Sequence, residues 1–342
     1  MDTILDDESL KNILDNPLWH LCRSNTENAM SNFWAYLMKK NDYNLKIILG
    51  EDEAKKYKDY GKVKEILREK NDMDLQIIFE DGIVVIENKF KSLADQKQID
   101  KYKEKIKKKG KNHFYLITPT GEEDFKENHL TWISYKDIHK NIKKHKEHIS
   151  CDKEILEKYL DLLDNIVKLD KNTRDNYSLC LFWIPDSERI KEYIEKLQDE
   201  KLYAFVTKRL ASLYQKELNK DKSIKSKIEN GKILQENGFS SRVSLPFIEW
   251  WKQTKKGHFE GIQIQNGLFC LCVMSEDKES EIDPKYLYKW VNTLKKEGVE
   301  VNSQKEYNKF GVCFKYKYFN IDSEKTLKKN LKKVFEYWAK HK

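Results

Sequence analysis

No stretch of the chain approaches the roughly 18 consecutive apolar residues that a membrane helix needs. The opening, MDTILDDESL, is acidic where a secretion signal would be basic and then apolar. Neither a membrane span nor an export signal is expected, and the cytoplasm is the expected compartment. The six cysteines, Cys22, Cys151, Cys180, Cys270, Cys272 and Cys313, include no C-x-x-C pair, so neither a zinc site nor a disulfide framework is signalled. Cys270 and Cys272 sit two apart in LFCLCV, on one face of an expected strand, and read as core. There is no G-x-x-x-x-G-K loop, so any ATP-driven step would need another protein. The histidines show no spacing suited to metal ligation, and there is no internal repeat or low-complexity linker.

What is present suits a folded chain of two domains. At 342 residues it exceeds what one hydrophobic core usually serves, and 39% hydrophobic with 12% aromatic residues is too much apolar material for disorder. The net charge is +8 and unevenly spread: residues 1–170 hold 31 basic and 33 acidic side chains, residues 171–342 hold 34 and 24. A basic excess fits a polyanionic partner such as nucleic acid, and Lys-rich, Glu-rich usage fits a low-GC genome as well. Within the near-neutral first half, Lys101, Lys103, Lys105, Lys107, Lys108, Lys109 and Lys111 crowd one stretch, which reads either as a solvated helix face or as a phosphate contact.

Along the chain, Asn25 or Thr26 caps an expected helix through ENAMSNFWAYLMKK, with Glu27 in its first turn. VKEIL reads as a strand. DLQIIFE and IVVIENKF form two more, separated by Asp81-Gly82, a hairpin signal. An amphipathic helix carrying Ile99, Tyr102 and Ile106 follows, then strands HFYLITP and LTWIS and a helix from Tyr135. This order predicts an α/β domain with a mixed sheet over residues 1–150, a helical connection over 151–170 and an α+β domain over 171–342. In the second domain a long helix is expected through YIEKLQDEKLYAFVTKRLASLYQKEL, then a hairpin GIQIQ-NG-LFCLCV, a strand in FGVCFKYKYF and closing helices after Pro284 and Ser323. Trp250-Trp251, beside Lys252, Lys255 and Lys256, reads as core or as a stacking platform for bases.

The first hairpin carries the chemistry. With Asp81-Gly82 as a two-residue loop, Glu80 pairs with Ile83 and Asp74 with Lys89. One face is then Leu75, Ile77, Phe79, Val84, Ile86, Asn88 and Phe90; the other gathers Asp74 and Glu87 beside Lys89. Glu87 becomes the diagonal neighbour of Asp74, roughly 7 to 8 Å away at Cα, within reach of a shared cation. Asp72 would fall on the order of 13 Å out of step. Two carboxylates this close repel unless a cation neutralises them, and hard oxygen ligands suit Mg²⁺ or Mn²⁺. The expected chemistry is metal-assisted hydrolysis of a phosphodiester, with Lys89 orienting or deprotonating the attacking water.

Asp74, twelve residues, then Glu87-Asn88-Lys89 at the end of an apolar strand resembles the PD-(D/E)xK nuclease superfamily, although Met73 stands where the nominal proline would. Gln98 and Tyr102 resemble the Gln-x-x-x-Tyr element of one subgroup, Glu27 matches the acid that many members place near the metal, and Trp132-Ile133-Ser134-Tyr135 resembles the strand-to-helix junction that follows. The resemblance spans about residues 20 to 145. It implies a restriction-endonuclease-like fold and a metal-dependent nuclease, with Asp74, Glu87 and Glu27 as metal ligands and Lys89, Gln98 and Tyr102 completing the site. It also implies a preference for DNA and a setting in restriction, phage defence or repair. Lys101, Lys105 and Lys108, on the helix that presents Gln98, are then candidates for contact with the nucleic-acid backbone. The second domain is left for nucleic-acid binding, assembly with further copies or a partner protein. The competing class is a nucleic-acid-binding or assembly protein that keeps the nuclease fold without turnover.

Overall fold

The computed structural model describes residues 7–92, 96–106, 110–121, 130–175, 188–199, 201–240, 245–254, 257–265, 268–275, 284–299, 306–310, 313–320 and 324–341. They divide into two compact units, residues 1–175 with 196–206 and residues 176–195 with 207–342.

The first unit is a mixed five-stranded sheet flanked by helices, in the order β1 (Val63–Lys70), β2 (Met73–Phe79), β3 (Gly82–Asn88), β4 (Lys111–Thr118) and β5 (Leu130–Ser134). The first three strands form an antiparallel meander; β3, β4 and β5 run parallel. This is the restriction-endonuclease-like α/β arrangement the sequence led us to expect. Strand β3 is buried along its whole length, because helices cover both faces. Its Ile83 and Val85 pack with Phe114 and Leu116 under Ile99, Tyr102 and Ile106 of a helix at Gln96–Ile106. A helix at Thr26–Lys40 packs against β1, β2 and β3. Each such Ile or Val contributes about 1.5–3 kcal/mol by leaving water.

Helices precede and follow the one that was expected at the start. Counting in chain order, α1 (Asp7–Leu14) and α2 (Pro17–Cys22) lead into α3 (Thr26–Lys40), and short helices α4 (Lys46–Leu49) and α5 (Glu51–Lys55) occupy the connection to β1. The sheet's cover is α6 (Gln96–Ile106), and α7 (Tyr135–His145) starts on a capping box between Ser134 and Asp137. Helix α8 (Lys153–Asp175) does not lead away as a connection. It packs against α1 and α7, since Leu156, Tyr159, Leu160, Leu163 and Ile166 make a buried stripe at helical spacing. Trp34 donates its indole N–H to Tyr159 Oη at 2.6 Å.

The expected long helix near residue 200 is two, α9 (Glu188–Asp199) and α10 (Tyr203–Lys220). Lys201 adopts a left-handed φ of 61°, and Leu202 N–H turns back to the Leu197 carbonyl at 2.8 Å, which terminates α9. Chain segment 196–206 belongs to the first unit, where Phe205 stacks on Phe90 with ring centroids 4.5 Å apart.

The second unit is a six-stranded antiparallel sheet in the order β10 (Glu306–Phe310), β11 (Cys313–Asn320), β9 (Leu268–Ser275), β8 (His258–Gln265), β7 (Leu245–Gln253) and β6 (Leu234–Ser240). Ile262, Ile264, Phe269, Leu271 and Val273 share a core with α10, α11 (Lys222–Gly231), α12 (Pro284–Lys296) and α13 (Glu324–Lys340). Cys270 and Cys272 are buried as expected, on the other face, against Trp251. Trp250 and Trp251 are both buried, so neither offers a platform for bases; Lys255 and Lys256 lie outside the described residues. Gln265 opposes Leu268, as the Asn266-Gly267 hairpin requires, although those two turn residues are outside the described set.

The register of the first hairpin differs from expectation. Leu75 opposes Ile86 and Ile78 opposes Ile83, so the chain reverses at Glu80-Asp81 instead of Asp81-Gly82. Gly82 does not take a positive φ and is a strand residue. A side chain there would meet the Tyr60 ring at 2.3 Å and the Lys111 carbonyl at 2.8 Å, so the glycine answers a close approach rather than a turn. The Tyr60 and Lys62 carbonyls hold the turn by accepting the Asp81 and Glu80 N–H groups. Gly82→Asn, which a turn glycine of the expected kind would tolerate, should therefore cost about 1–3 kcal/mol through overpacking in urea unfolding. Unchanged stability would contradict this register.

Candidate active site

The corrected register slips by two residues, and an even slip keeps every side chain on its face. It brings Asp74 directly opposite Glu87, closer than the diagonal placement expected, as continuation of the Leu75–Ile86 pairing shows. The Asn88 N–H donates to Asp74 Oδ2 at 2.7 Å, and the Asp74 N–H lies 3.5 Å from Glu87 Oε2. Each carboxylate is thus tied to the other's strand.

Lys89 and α6 complete the group. Lys89 Nζ donates to Glu87 Oε1 at 2.8 Å and to Gln98 Oε1 at 2.7 Å, with both charged side chains of the pair over nine-tenths buried. Gln98 Nε2 donates to Glu87 Oε1 at 3.1 Å and to the Tyr102 hydroxyl. Tyr102 donates to the Asp72 carbonyl at 2.6 Å and sits 3.3 Å from Glu87 Oε1. Gln98 and Tyr102, one helical turn apart, therefore face the carboxylates together. Burial, then the Glu87 charge, raises the Tyr102 hydroxyl well above the usual tyrosine range, so it remains a donor.

Burial is also the first reason that the Asp74 carboxyl is pushed up to about 7, followed by the Glu87 carboxylate beside it; the Asn88 N–H and the Lys89 charge act in the opposite direction. Glu27 adds a smaller upward push from further off. Its Oε1 is taken by the loop after β3, accepting from Lys91 N–H at 2.8 Å, Ser92 N–H at 3.0 Å and Ser92 Oγ at 2.8 Å. Among the described residues no three carboxylate, histidine or cysteine side chains converge to hold a metal ion. Of the three expected acids, Glu27 has its Oε1 engaged by this loop, and Asp74 and Glu87 remain as the pair that face each other.

The two that remain have the right chemistry for a hard cation. Asp74 Oδ1 accepts no hydrogen bond among the described residues, and Glu87 Oε2 has only the long contact to Asp74 N–H. Two carboxylate oxygens with open positions for water and phosphate are a donor set that Mg²⁺ accepts.

Asn88 was read only as part of the apolar face. It is 1% exposed, and its side chain donates to the Glu27 carbonyl at 3.0 Å and accepts from the Tyr135 hydroxyl at 2.8 Å. The residue therefore pins the end of β3 to α3 and α7 while its own N–H holds Asp74. A polar residue on an otherwise apolar strand face was the signal for it. Among the lysines expected to meet nucleic acid, Lys101 and Lys105 pair with Asp72 at 3.3 and 2.7 Å, and Lys108 lies outside the described residues. Asp72 itself is two-thirds exposed and engaged by these two lysines of α6.

Residues 15–162 match the family model of the PD-(D/E)XK nuclease superfamily. This segment belongs to that superfamily. The match runs into α8, in keeping with that helix being part of the first unit. Searches of curated proteins and of solved structures gave no match. Superfamily membership makes nucleic acid the class of substrate for this site, and among the described residues no helix is long and apolar enough to cross a membrane.

An acid whose pKa rises on folding favours the fold most below its unfolded value, here 3.8, and that advantage disappears as pH climbs through about 7. In metal-free buffer the protein should therefore lose up to roughly 4 kcal/mol of stability from this one group between those limits. Asp74→Asn should flatten that part of the profile in urea unfolding at pH 5 and pH 8. An identical pH dependence in the variant would show that Asp74 is not perturbed.

Proposed function

We propose that the first unit is a metal-dependent nuclease that hydrolyses phosphodiester bonds, with DNA the preferred substrate. The observation that carries this reading is the opposition of Asp74 and Glu87 across β2 and β3, with Lys89 hydrogen-bonded to Glu87. A Mg²⁺ or Mn²⁺ ion held by these two carboxylates would supply positive charge against the scissile phosphate and lower the proton affinity of water there.

The side chains themselves divide the remaining work. Asp74 Oδ1 and Glu87 Oε2 are the oxygens available to hold the ion. Lys89, fixed by Glu87 Oε1 and Gln98 Oε1, brings an ammonium to the same face, where it orients the attacking water and offsets charge that builds on the phosphate. Gln98 acts as a positioning residue, since its amide bridges Lys89, Glu87 and Tyr102. Tyr102 holds the turn before β2 to α6 through the Asp72 carbonyl, which keeps Asp74 in register with Glu87. An intact Asp74, Glu87 and Lys89 set favours turnover over a binding role alone.

Plasmid and linear DNA, with RNA in parallel, should be cut with Mg²⁺ or Mn²⁺ and spared with EDTA. Glu87→Ala should lower the rate by at least about 10²-fold, the scale of losing one transition-state electrostatic group, while most binding survives. Cutting in EDTA, or full activity in that variant, would remove the mechanism. Gln98→Ala should lower kcat with little change in KM, because the residue positions Lys89 and does not bind substrate; a rise in KM alone would assign it to substrate binding.

A further inference from the structure

Regular pairing between β2 and β3 stops at Leu75 opposite Ile86. On its other edge β3 stays in register with β4, where Asn88 pairs with Ile117 and the Lys89 N–H donates to the Ile117 carbonyl at 2.8 Å. Successive residues of a strand turn their N–H groups to opposite edges, so the Asn88 N–H faces β2. There it meets the Asp74 carboxylate at 2.7 Å instead of a backbone carbonyl. The direction of this N–H, and with it the setting of Asp74, depends on how the end of β3 is held.

The Asn88 side chain does the holding. It is buried, and both ends of its amide are used: Nδ2 donates to the Glu27 carbonyl at 3.0 Å, and Oδ1 accepts from the Tyr135 hydroxyl at 2.8 Å. The first anchor is backbone in the opening turn of α3. The second is a side chain, and its aim depends on how the ring is packed. Tyr135 is 0% exposed; its ring stacks on Phe90 with centroids 5.8 Å apart and meets Trp34 edge-on at 6.0 Å. Tyr135 is also the first residue of α7, whose start is set by the Ser134–Asp137 capping box. Helix start and ring packing together aim the hydroxyl at Asn88 Oδ1. Phenylalanine would fill the same apolar space without that bond.

We infer that Tyr135 is a positioning residue of the cation seat: its hydroxyl fixes the Asn88 side chain, and Asn88 in turn directs its N–H to Asp74. Outer partners of this kind orient a ligand without touching the ion. The inference rests on the reading of Asp74 and Glu87 as that seat; the hydrogen-bonded relay from α7 to Asp74 stands without it.

The test is calorimetric titration of Mn²⁺, without nucleic acid, into the full chain at pH 8, with circular dichroism to show that each variant is folded. Tyr135→Phe keeps the ring and should weaken Mn²⁺ binding about 10-fold, the scale of losing an outer partner of a metal ligand. Asn88→Ala should weaken it at least as much, and in that background Tyr135→Phe should cost less than about 2-fold, because the relay is already cut. The control Tyr57→Phe also deletes a buried hydroxyl, one that donates to the Tyr115 hydroxyl at 2.6 Å, and should change the affinity by less than about 2-fold. In DNA cutting, Tyr135→Phe should lower kcat and leave KM unchanged. Wild-type affinity in Tyr135→Phe, an equal fall in the control, or an undiminished cost in the Asn88→Ala background overturns the inference. If the wild type cuts DNA with Mg²⁺ yet Tyr135→Phe binds Mn²⁺ as the wild type does, the inference fails and the nuclease reading survives. If no DNA is cut while the affinities follow the expected pattern, the reverse holds. A wild type that binds no Mn²⁺ removes both.

Discussion

Asp74 and Glu87 oppose each other across β2 and β3 in a largely buried setting, and that juxtaposition constrains everything around it. Two carboxylates so placed raise each other's energy, and burial removes the water that would screen them. Lys89 compensates for one charge and cannot compensate for both. The surroundings respond with donors: the Asn88 amide to Asp74, and Lys89, Gln98 and Tyr102 to Glu87. The remaining oxygens are where the proposed cation belongs. The fold bears an electrostatic cost at this point that a divalent ion would relieve.

The fold serves that pair. Parallel strands β3, β4 and β5 place the end of β3 beside the start of α7, where Tyr135 reaches Asn88, and beside the first turn of α3, where the Glu27 carbonyl receives the same side chain. Helix α6 covers the opposite face of β3 and delivers Gln98 and Tyr102 from above the Ile83 and Val85 core. Three separate helices therefore contact the end of β3.

Much of this was legible in the residues. Richness in β-branched residues marked DLQIIFE and IVVIENKF as strands, the two-residue period of a strand gave the correct faces, and the i,i+4 spacing put Gln98 and Tyr102 on one side of α6. The register was not legible, because Asp81-Gly82 is a hairpin signal by composition while Gly82 is present for the sake of the Tyr60 ring, which lies on a segment well before the hairpin. The engagement of Glu27 by the loop at Lys91 and Ser92 was equally hidden, since a backbone amide leaves no signature in side-chain spacing. In the second unit, β6, β7, β10 and α11 were missed, and the break between α9 and α10 depends on a left-handed Lys201 that composition does not announce.

The central claim is that two opposed acids, one of them holding a proton near neutrality, form the seat of a divalent cation. Calorimetric titration of Mn²⁺ into the protein at pH 6.5, in buffers of different ionisation enthalpy, tests it most directly. Binding should release the larger part of one proton from Asp74, and Asp74→Asn should abolish that release along with most of the affinity. Binding without proton release, or affinity that survives the loss of both Asp74 and Glu87, would contradict the account.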